Sequence, residues 1–234
     1  MNQQPISKAV FDARGLLDTH HVFATIQGEG PFAGTPAVFI RLYGCNLRCP
    51  MCDTDYTSSQ FSVAPFFFLD ALKEMSSPSK LVVISGGEPF RQNLTPLVSA
   101  LVANGYTVQV ETNGTLPPSP GFEELVAGGK AFVVCSPKAG RLNKGLVPLL
   151  CALKYVVHAD SIDPKDGLPI NALGHPASPV VARPPEDFNG VVYVQPIDVQ
   201  DPLENRRHLD AAIKSCLKFG YTLCLQTHKI INVE

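Results

Sequence analysis

Residues 38–52 read VFIRLYGCNLRCPMC, and this stretch decides the fold of the chain. Its apolar first part, residues 38–43, predicts a strand that runs directly into a loop with three cysteines, Cys45, Cys49 and Cys52. Three thiolates from one short loop suit a [4Fe–4S] cluster with one open iron, because each of the four irons takes one outside ligand. An open iron can chelate a small molecule and pass an electron to it.

A zinc site is the alternative interpretation of these cysteines. Structural zinc takes four ligands, usually as two pairs of Cys or His. After Cys52 the next cysteine is Cys135 and the next histidine is His158, so no second pair follows. The spacing therefore favours a cluster over zinc or free thiols.

Composition limits the classes of function that are expected for this chain. The chain has 234 residues, is 45% hydrophobic and carries a net charge of −2, so no general attraction to nucleic acid or to an anionic membrane is expected. No apolar run approaches the ~20 residues of a membrane span, and residues 1–20 lack the basic and apolar parts of a signal peptide. The other cysteines, in apolar segments, are expected to be buried and unpaired. Free thiols and an oxygen-sensitive cluster indicate a reducing cytoplasm.

Strands alternate with helices along the chain. Strands are predicted at residues 38–43, 81–85, 107–112, 131–136, 153–157, 191–195 and 222–226, and helices at 66–75, 94–104 and 203–219. This alternation predicts a parallel α/β sheet, and the helices are too few for an eight-unit barrel. We therefore expect a partial, open parallel β/α barrel in a single domain, 1–234. Residues 1–21 would be an N-terminal extension, and the proline- and glycine-rich loop 163–190 an irregular surface loop or a lid.

Polar or glycine-rich segments follow five of these strands. They are Gly44-Cys45, 85–89, 111–114, 136–138 and 195–198. In parallel α/β sheets the chemistry lies at the carboxyl ends of the strands, so these segments should converge on one rim. Within the second, Gly86-Gly87-Glu88-Pro89 would let the backbone approach a ligand closely.

The chain resembles the radical S-adenosylmethionine (SAM) enzymes in two features. One is the loop with three cysteines, and the other is the later strand that ends in this Gly-Gly-Glu-Pro segment. The resemblance implies that the cluster reduces SAM and splits it into methionine and a 5′-deoxyadenosyl radical. That radical would start hydrogen-atom chemistry on a substrate. The family's usual core is also a partial barrel, in agreement with the predicted elements.

Three further segments resemble one family of these enzymes, 7-carboxy-7-deazaguanine synthase. They are Gln27-Gly28-Glu29-Gly30, Cys52-Asp53-Thr54 and Gln226-Thr227-His228-Lys229, and the resemblance runs over residues 22–234. It implies a carbon–nitrogen lyase of queuosine and deazapurine biosynthesis, which supplies tRNA modification. The family contracts the ring of 6-carboxy-5,6,7,8-tetrahydropterin to 7-carboxy-7-deazaguanine, with loss of ammonia, reuse of SAM and a need for Mg²⁺.

The resemblance assigns roles position by position. The cluster ligands are Cys45, Cys49 and Cys52, and the Mg²⁺ ligand is Thr54. The SAM contacts are Met51, Cys52, Asp53, Gly87, Ser136, Pro137, Lys138, Gln195, Pro196, Ile197 and Asp198. The substrate contacts are Ile26, Gln27, Gly28, Arg41, Ser85 and Glu234. The chain departs from the family pattern at two of these positions. Position 85 is a serine where the family often has threonine, and position 234 has an acidic side chain that the pattern does not predict.

Some of these positions have a purely structural alternative. Arg41 could form an ion pair instead of binding a substrate carboxylate bidentately, and Thr54 could cap a turn. The resemblance further implies a small pterin substrate, an electron donor such as flavodoxin or ferredoxin, and a homodimer, with neither nucleic acid nor membrane as a partner. A glycyl-radical enzyme activase, a related enzyme with another substrate and a zinc-binding interaction module remain as alternatives. The segments 27–30 and 226–229 count against the activase.

Overall fold

The computed structural model describes residues 2–75, 78–173 and 180–234, so positions 174–179 of the loop 163–190 lie outside the described residues. The strands are β1 (Leu17–Ile26), β2 (Pro36–Leu42), β3 (Phe61–Val63), β4 (Leu81–Gly86), β5 (Thr107–Thr112), β6 (Ala131–Cys135), β7 (Leu150–Val157), β8 (Val191–Pro196) and β9 (Thr222–Leu223). The helices are α1 (Pro65–Glu74), α2 (Thr95–Ala103), α3 (Phe122–Ala127), α4 (Pro202–Phe219) and α5 (Thr227–Ile230).

All these strands join one sheet, in the order β3-β1-β2-β4-β5-β6-β7-β8-β9. The strands from β2 to β9 along this order pair in parallel, whereas β1 is antiparallel to both β2 and β3. The two edge strands, β3 and β9, do not pair with each other, so the sheet stays open. The predicted partial, open parallel β/α barrel is confirmed.

Local sequence explains the principal elements. Strand β4 begins with the apolar run Leu81-Val82-Val83-Ile84, at most 4% exposed, as expected for a parallel strand covered on both faces. Helix α4 starts where the Asp201 carboxylate accepts from the backbone N–H groups of Leu203 (2.9 Å) and Glu204 (3.2 Å). It ends at Gly220, whose φ of 79° is the left-handed conformation of a helix stop.

Side-chain alternation separates the two faces of the sheet. In β2, Val38, Ile40 and Leu42 enter the main core under the helices. The alternate residues Phe39 and Arg41 face the inner side and line a cavity there. Since successive side chains of a strand point to opposite faces, the same rule applies to every central strand. It brings Ser85, Glu111, Lys154 and Gln195 to the same cavity as Arg41.

Four elements, β1, β3, α3 and α5, were not predicted from the sequence. Strand β1 starts at Leu17, inside the range 1–21 that was expected to be an extension, and pairs Val22 with Ile40 of β2. Its sequence, LDTHHVFATI, lacks a clean alternation, so the pairing is imposed by the neighbouring strand. Strand β3 has three residues, helix α3 has six and helix α5 has four, so all three are too short for a periodic signal.

The described parts of the loop 163–190 pack against the barrel. Leu168 and Val181 are each 1% exposed. The Arg183 guanidinium donates to the Asp166 carboxylate at 2.6 Å, and Tyr155 donates its hydroxyl to the carbonyl of Ala182 at 2.8 Å. These parts therefore form an ordered surface loop. Among the described residues, the helices are either too short or too polar to cross a lipid bilayer.

Candidate active site

The cysteine loop follows β2 at the carboxyl edge of the sheet. Cys45 and Cys49 are each 8% exposed, Cys52 is half-buried, and all three thiols are free. Burial raises the pKa of each thiol, that of Cys45 to about 12, while the nearby Lys138 ammonium lowers the pKa of Cys49 and Cys52. Buried thiols that repel one another as thiolates fit a cationic iron centre. Within the described residues, no three His, Cys, Asp or Glu side chains form a site for a single metal ion.

A cavity of about 290 Å³ lies on the inner face beside this loop. Its wall includes Thr54 and every residue predicted to contact substrate: Ile26, Gln27, Gly28, Arg41, Ser85 and Glu234. It also includes most of the predicted SAM contacts: Met51, Cys52, Asp53, Gly87, Ser136, Lys138, Gln195, Ile197 and Asp198. Pro137 and Pro196 do not line it, since they lie between lining residues on segments whose side chains alternate. Cys45 and Cys49 lie behind Cys52, outside the lining.

Arg41 brings a cation to the cavity wall without a protein counter-ion. Its Nε is buried and has no hydrogen-bond partner within the described residues, and its guanidinium lies 5.1 Å from the centre of the Phe23 ring. Within the described residues, no carboxylate oxygen lies within 4.0 Å of its guanidinium nitrogens, so the structure does not contain the alternative ion pair. A buried, unpaired guanidinium nitrogen facing a cavity is ready for an anionic ligand.

Glu111 is a half-buried carboxylate two strands from Arg41. It accepts from the side-chain amides of Gln27 at 3.0 Å and Gln109 at 2.8 Å. Burial raises its pKa, against the opposite effects of these amides, the charge of Arg41 and the hydroxyl of Ser85. The cavity therefore presents a cationic group and an acidic group on one wall, with Ser85 between them.

A second carboxylate, Glu29, links its own segment to three others at the cavity: β7, β8 and the C-terminal segment. It pairs with the ammonium of Lys154 on β7. It also accepts from the side-chain amides of Gln195 on β8 (3.2 Å) and Gln226 near the C-terminus (3.0 Å). Because the pair is buried, loss of either partner would leave an uncompensated charge.

The C-terminal segment closes one side of the cavity. Lys229 of α5 donates to Asp53 at 2.8 Å and to Asp198 at 3.1 Å. Thr227 donates its backbone N–H and its hydroxyl to the carbonyl of Gly28, at 3.1 and 2.7 Å. Glu234 turns its side chain to His21, 2.9 Å away, and its backbone oxygen accepts from the Thr25 hydroxyl at 2.6 Å. The end of the chain is thus anchored on β1.

The Gly-Gly-Glu-Pro segment is shaped by packing. A Cβ on Gly86 would lie 2.2 Å from the carbonyl oxygen of Leu42, and one on Gly87 would lie 2.1 Å from that of Gly44. Glu88 is fully buried and joins the ends of two strands, because its carboxylate accepts from Thr112 (2.8 Å) and from the backbone N–H of Asn113 (2.7 Å). These residues hold the β4 end against the cysteine loop, so the backbone of Gly87 reaches the cavity.

The sequence analysis did not identify several residues on this wall. Glu29, Glu111, Lys154, His228 and Lys229 all line the cavity. Lys154 carries the same signal as Arg41, a charged residue inside an apolar strand. Glu111 lies next to the end of a buried strand, where functional residues are expected. His228 and Lys229 belong to the segment 226–229 that carries the family resemblance, but only the fold of the C-terminus brings their side chains to the cavity.

Known proteins with similar sequences show which family the chain belongs to. Residues 39–141 match the model of the radical SAM superfamily. The 7-carboxy-7-deazaguanine synthase of Rhodospirillum rubrum is 46% identical over 220 residues, which cover 91% of this chain and 90% of that protein. The chain belongs to the 7-carboxy-7-deazaguanine synthase family. The synthase of Rickettsia prowazekii is 36% identical over 229 residues, 93% of this chain and 89% of that protein.

The fold agrees with that of a solved structure. The crystal structure of QueE from Escherichia coli matches with a TM-score of 0.68 at 24% identity, and the match covers 90% of this chain and 93% of that chain. As a radical SAM enzyme, a 7-carboxy-7-deazaguanine synthase uses a [4Fe–4S] cluster, SAM and a reductant, and acts on a small molecule. The synthase family therefore replaces the zinc-binding module and the glycyl-radical activase as interpretations of the cysteine loop.

Proposed function

We propose that this chain converts 6-carboxy-5,6,7,8-tetrahydropterin into 7-carboxy-7-deazaguanine with loss of ammonia. The observation that carries the proposal is the guanidinium of Arg41. Arg41 is half-buried on the cavity wall, its buried Nε has no partner within the described residues, and the cysteine loop borders the same cavity. An arginine fork binds a carboxylate through two charge-assisted hydrogen bonds. We therefore assign Arg41 to the carboxylate of the pterin.

Glu111 is placed to bind the end of the pterin opposite its carboxylate. Strands β2, β4 and β5 are neighbours, so the backbones of β2 and β5 lie roughly 10 Å apart at ~4.8 Å per strand. That span suits a flat bicyclic ring that carries a carboxylate at one end. The amino-pyrimidine end of a pterin offers N–H donors, and a carboxylate on the cavity wall can accept them. We propose that Glu111 accepts them, with Ile26, Gln27, Gly28, Ser85 and Glu234 as the surrounding substrate contacts.

The cluster and SAM are proposed to occupy the loop side of the cavity. Cys45, Cys49 and Cys52 would hold the cluster, and the SAM contacts would be those of the sequence analysis that line the cavity. A bound cluster supplies the electron that cleaves SAM and so starts hydrogen abstraction from the substrate. The chain itself would bind and orient the substrate beside the loop, with Phe23 and the C-terminal segment on the cavity wall.

Mg²⁺ is the third proposed component. The Thr54 hydroxyl lines the cavity, is half-buried and lies 3.5 Å from an oxygen of the Asp53 carboxylate. Hard oxygen donors suit Mg²⁺, which commonly keeps several waters and takes few protein ligands. We therefore propose Thr54 as its protein ligand.

The test is anaerobic incubation of the reconstituted protein with SAM, a reductant and the carboxypterin, followed by mass analysis. Formation of 7-carboxy-7-deazaguanine and ammonia, without net loss of SAM, is expected. A matched reaction with Cys49→Ala should give no product. Cleavage of SAM by the wild type without conversion of the pterin would refute the substrate assignment and retain the cluster assignment.

The proposal also covers the electron donor, the assembly and the cellular compartment of the enzyme. We propose flavodoxin or ferredoxin as the electron donor, a homodimer as the assembly and the cytoplasm as the compartment. The free thiols of the chain support a reducing compartment. We also propose a single domain over residues 1–234, which the one continuous sheet supports. Light scattering tests the dimer, and reduction of the cluster by each donor tests the electron source.

A further inference from the structure

We propose that residues 2–10, the N-terminal strap, hold the cysteine loop in the shape that binds the cluster. The strap contacts the loop from outside the cavity, since none of these residues lines the cavity. This inference rests on the cluster assignment of the proposed function and does not depend on the substrate. The sequence analysis gave this segment no role.

Backbone hydrogen bonds fix the strap at both ends of the loop. The N–H of Asn2 donates to the carbonyl of Pro50 at 3.0 Å, and the N–H of Ser7 donates to the carbonyl of Cys45 at 2.7 Å. Ile6 and Cys45 form a parallel bridge. The strap therefore contacts the first cysteine and the residue that follows the second.

Two amide side chains of the strap bind the middle and the end of the loop. The Asn2 side chain donates to the carbonyl of Cys49 at 3.2 Å. The Gln4 side chain donates to the carbonyl of Thr54 at 2.8 Å. The oxygen of Gln4 accepts from the backbone N–H of Tyr56 at 2.8 Å and from the hydroxyl of Thr57 at 3.0 Å. One residue thus uses both ends of its amide to fix the segment after Cys52.

A buried arginine anchors the far end of the strap. Arg91 is 2% exposed, and its guanidinium donates to the carbonyl of Lys8 and to that of Tyr43, the latter at 3.0 Å. The N–H of Val10 donates to the carbonyl of Arg91 at 2.8 Å. A Cβ on Gly44 would lie 2.6 Å from the same guanidinium, so strap, arginine and loop are packed closely. The strap is therefore fixed to the body of the barrel.

The loop needs such support because it has little regular structure of its own. Within it, the N–H of Cys52 donates to the carbonyl of Cys49 at 3.2 Å. Irregular segments open locally at low cost, and each opening moves the ligands away from their cluster geometry. Hydrogen bonds from the strap to four loop carbonyls make opening less frequent. The strap should therefore slow the loss of the cluster.

Hydrogen exchange of the metal-free protein tests the strap without the cluster. In Gln4→Ala we expect the amides of residues 45–57 to exchange at least about tenfold faster than in the wild type, because three hydrogen bonds to this segment are removed. Gln3→Ala is the matched control, since Gln3 is an exposed glutamine beside Gln4. Unchanged melting temperatures would show that the effect is local. Equal exchange in both variants would refute the proposal.

Retention of iron is the second measurement. Wild type, Gln3→Ala and the double variant Asn2→Ala/Gln4→Ala are reconstituted anaerobically and mixed with an iron chelator, and the cluster absorbance is followed. We expect the double variant to lose its cluster about tenfold faster, and Gln3→Ala to match the wild type. Equal rates would overturn the proposal. A wild type that binds no iron would refute the proposed function, and the exchange of the metal-free loop would still decide on the strap.

Discussion

Gly28 offers a direct test of whether the C-terminal segment closes the active site. A Cβ at this position would lie 2.0 Å from Nδ1 and 2.8 Å from the backbone nitrogen of His228. The second contact is with backbone, so rotation of the His228 ring cannot relieve it. In Gly28→Ala, helix α5 must move away from β1.

The size of the effect follows from the contacts that this movement breaks. Thr227 donates two hydrogen bonds to the carbonyl of Gly28. At about 0.5–1.5 kcal/mol for each bond, their loss weakens docking of the segment by about 1–3 kcal/mol. This corresponds to roughly 5- to 100-fold, since 1.4 kcal/mol is a factor of ten. The contacts of Lys229 with Asp53 and Asp198 stay available, so the segment is loosened and not released.

We expect the KM for the carboxypterin to rise at least fivefold in Gly28→Ala, while the cluster content and the melting temperature stay near those of the wild type. Hydrogen exchange of residues 226–234 should become faster in the same variant. Gly145→Ala is the control, because a Cβ there meets its nearest atoms at 3.5 Å. Unchanged KM together with unchanged exchange at 226–234 would refute closure by this segment.

Five further variants, one of them a control, test the cluster, the substrate site, the metal and the fold. Cys45→Ala should abolish iron binding on reconstitution, whereas Cys135→Ala, in the main core, should keep it; an iron assay decides. Arg41→Lys should raise the KM for the carboxypterin well above any change for SAM, because lysine cannot copy the arginine fork. Thr54→Ala should weaken the Mg²⁺ dependence of turnover with SAM affinity nearly unchanged. Burial raises the pKa of Glu88 from 4.5 to about 7, so the folded protein holds a proton there that the unfolded chain has lost. The contribution of Glu88 to stability is thus full at low pH and falls as the pH rises through this window, and Glu88→Gln should flatten that part of the melting-temperature profile.

The contrary outcomes are equally specific. Iron bound at full stoichiometry by Cys45→Ala would remove that thiol from the cluster. An unchanged KM in Arg41→Lys would assign the guanidinium to packing against Phe23. Equal loss of SAM affinity in Thr54→Ala would show that this residue shapes the loop. A pH profile of Glu88→Gln parallel to that of the wild type would place the titration elsewhere.

The sequence determined what depends on local patterns. The spacing of Cys45, Cys49 and Cys52 indicated the cluster, and the apolar runs before polar segments located the central strands. Arg41 stood out in the sequence because a charged residue inside an apolar strand needs a partner or a ligand, and Lys154 carries the same signal, which the sequence analysis did not use. These signals are local, since the alternation of a strand and the spacing of a short loop are set by neighbouring residues.

Only the tertiary structure decided which distant residues meet. Glu29 and Lys154 are 125 positions apart, and the contact of His21 with Glu234 spans 213. The sequence marked Gly28 as a substrate contact, and the fold adds that His228 leaves no room there for a side chain. The N-terminal strap has no periodic pattern from which it could be predicted. Its hydrogen bonds go to carbonyl groups of the cysteine loop some 40–50 residues away in the sequence. Such contacts depend on the strand order of the whole sheet, which no local pattern encodes.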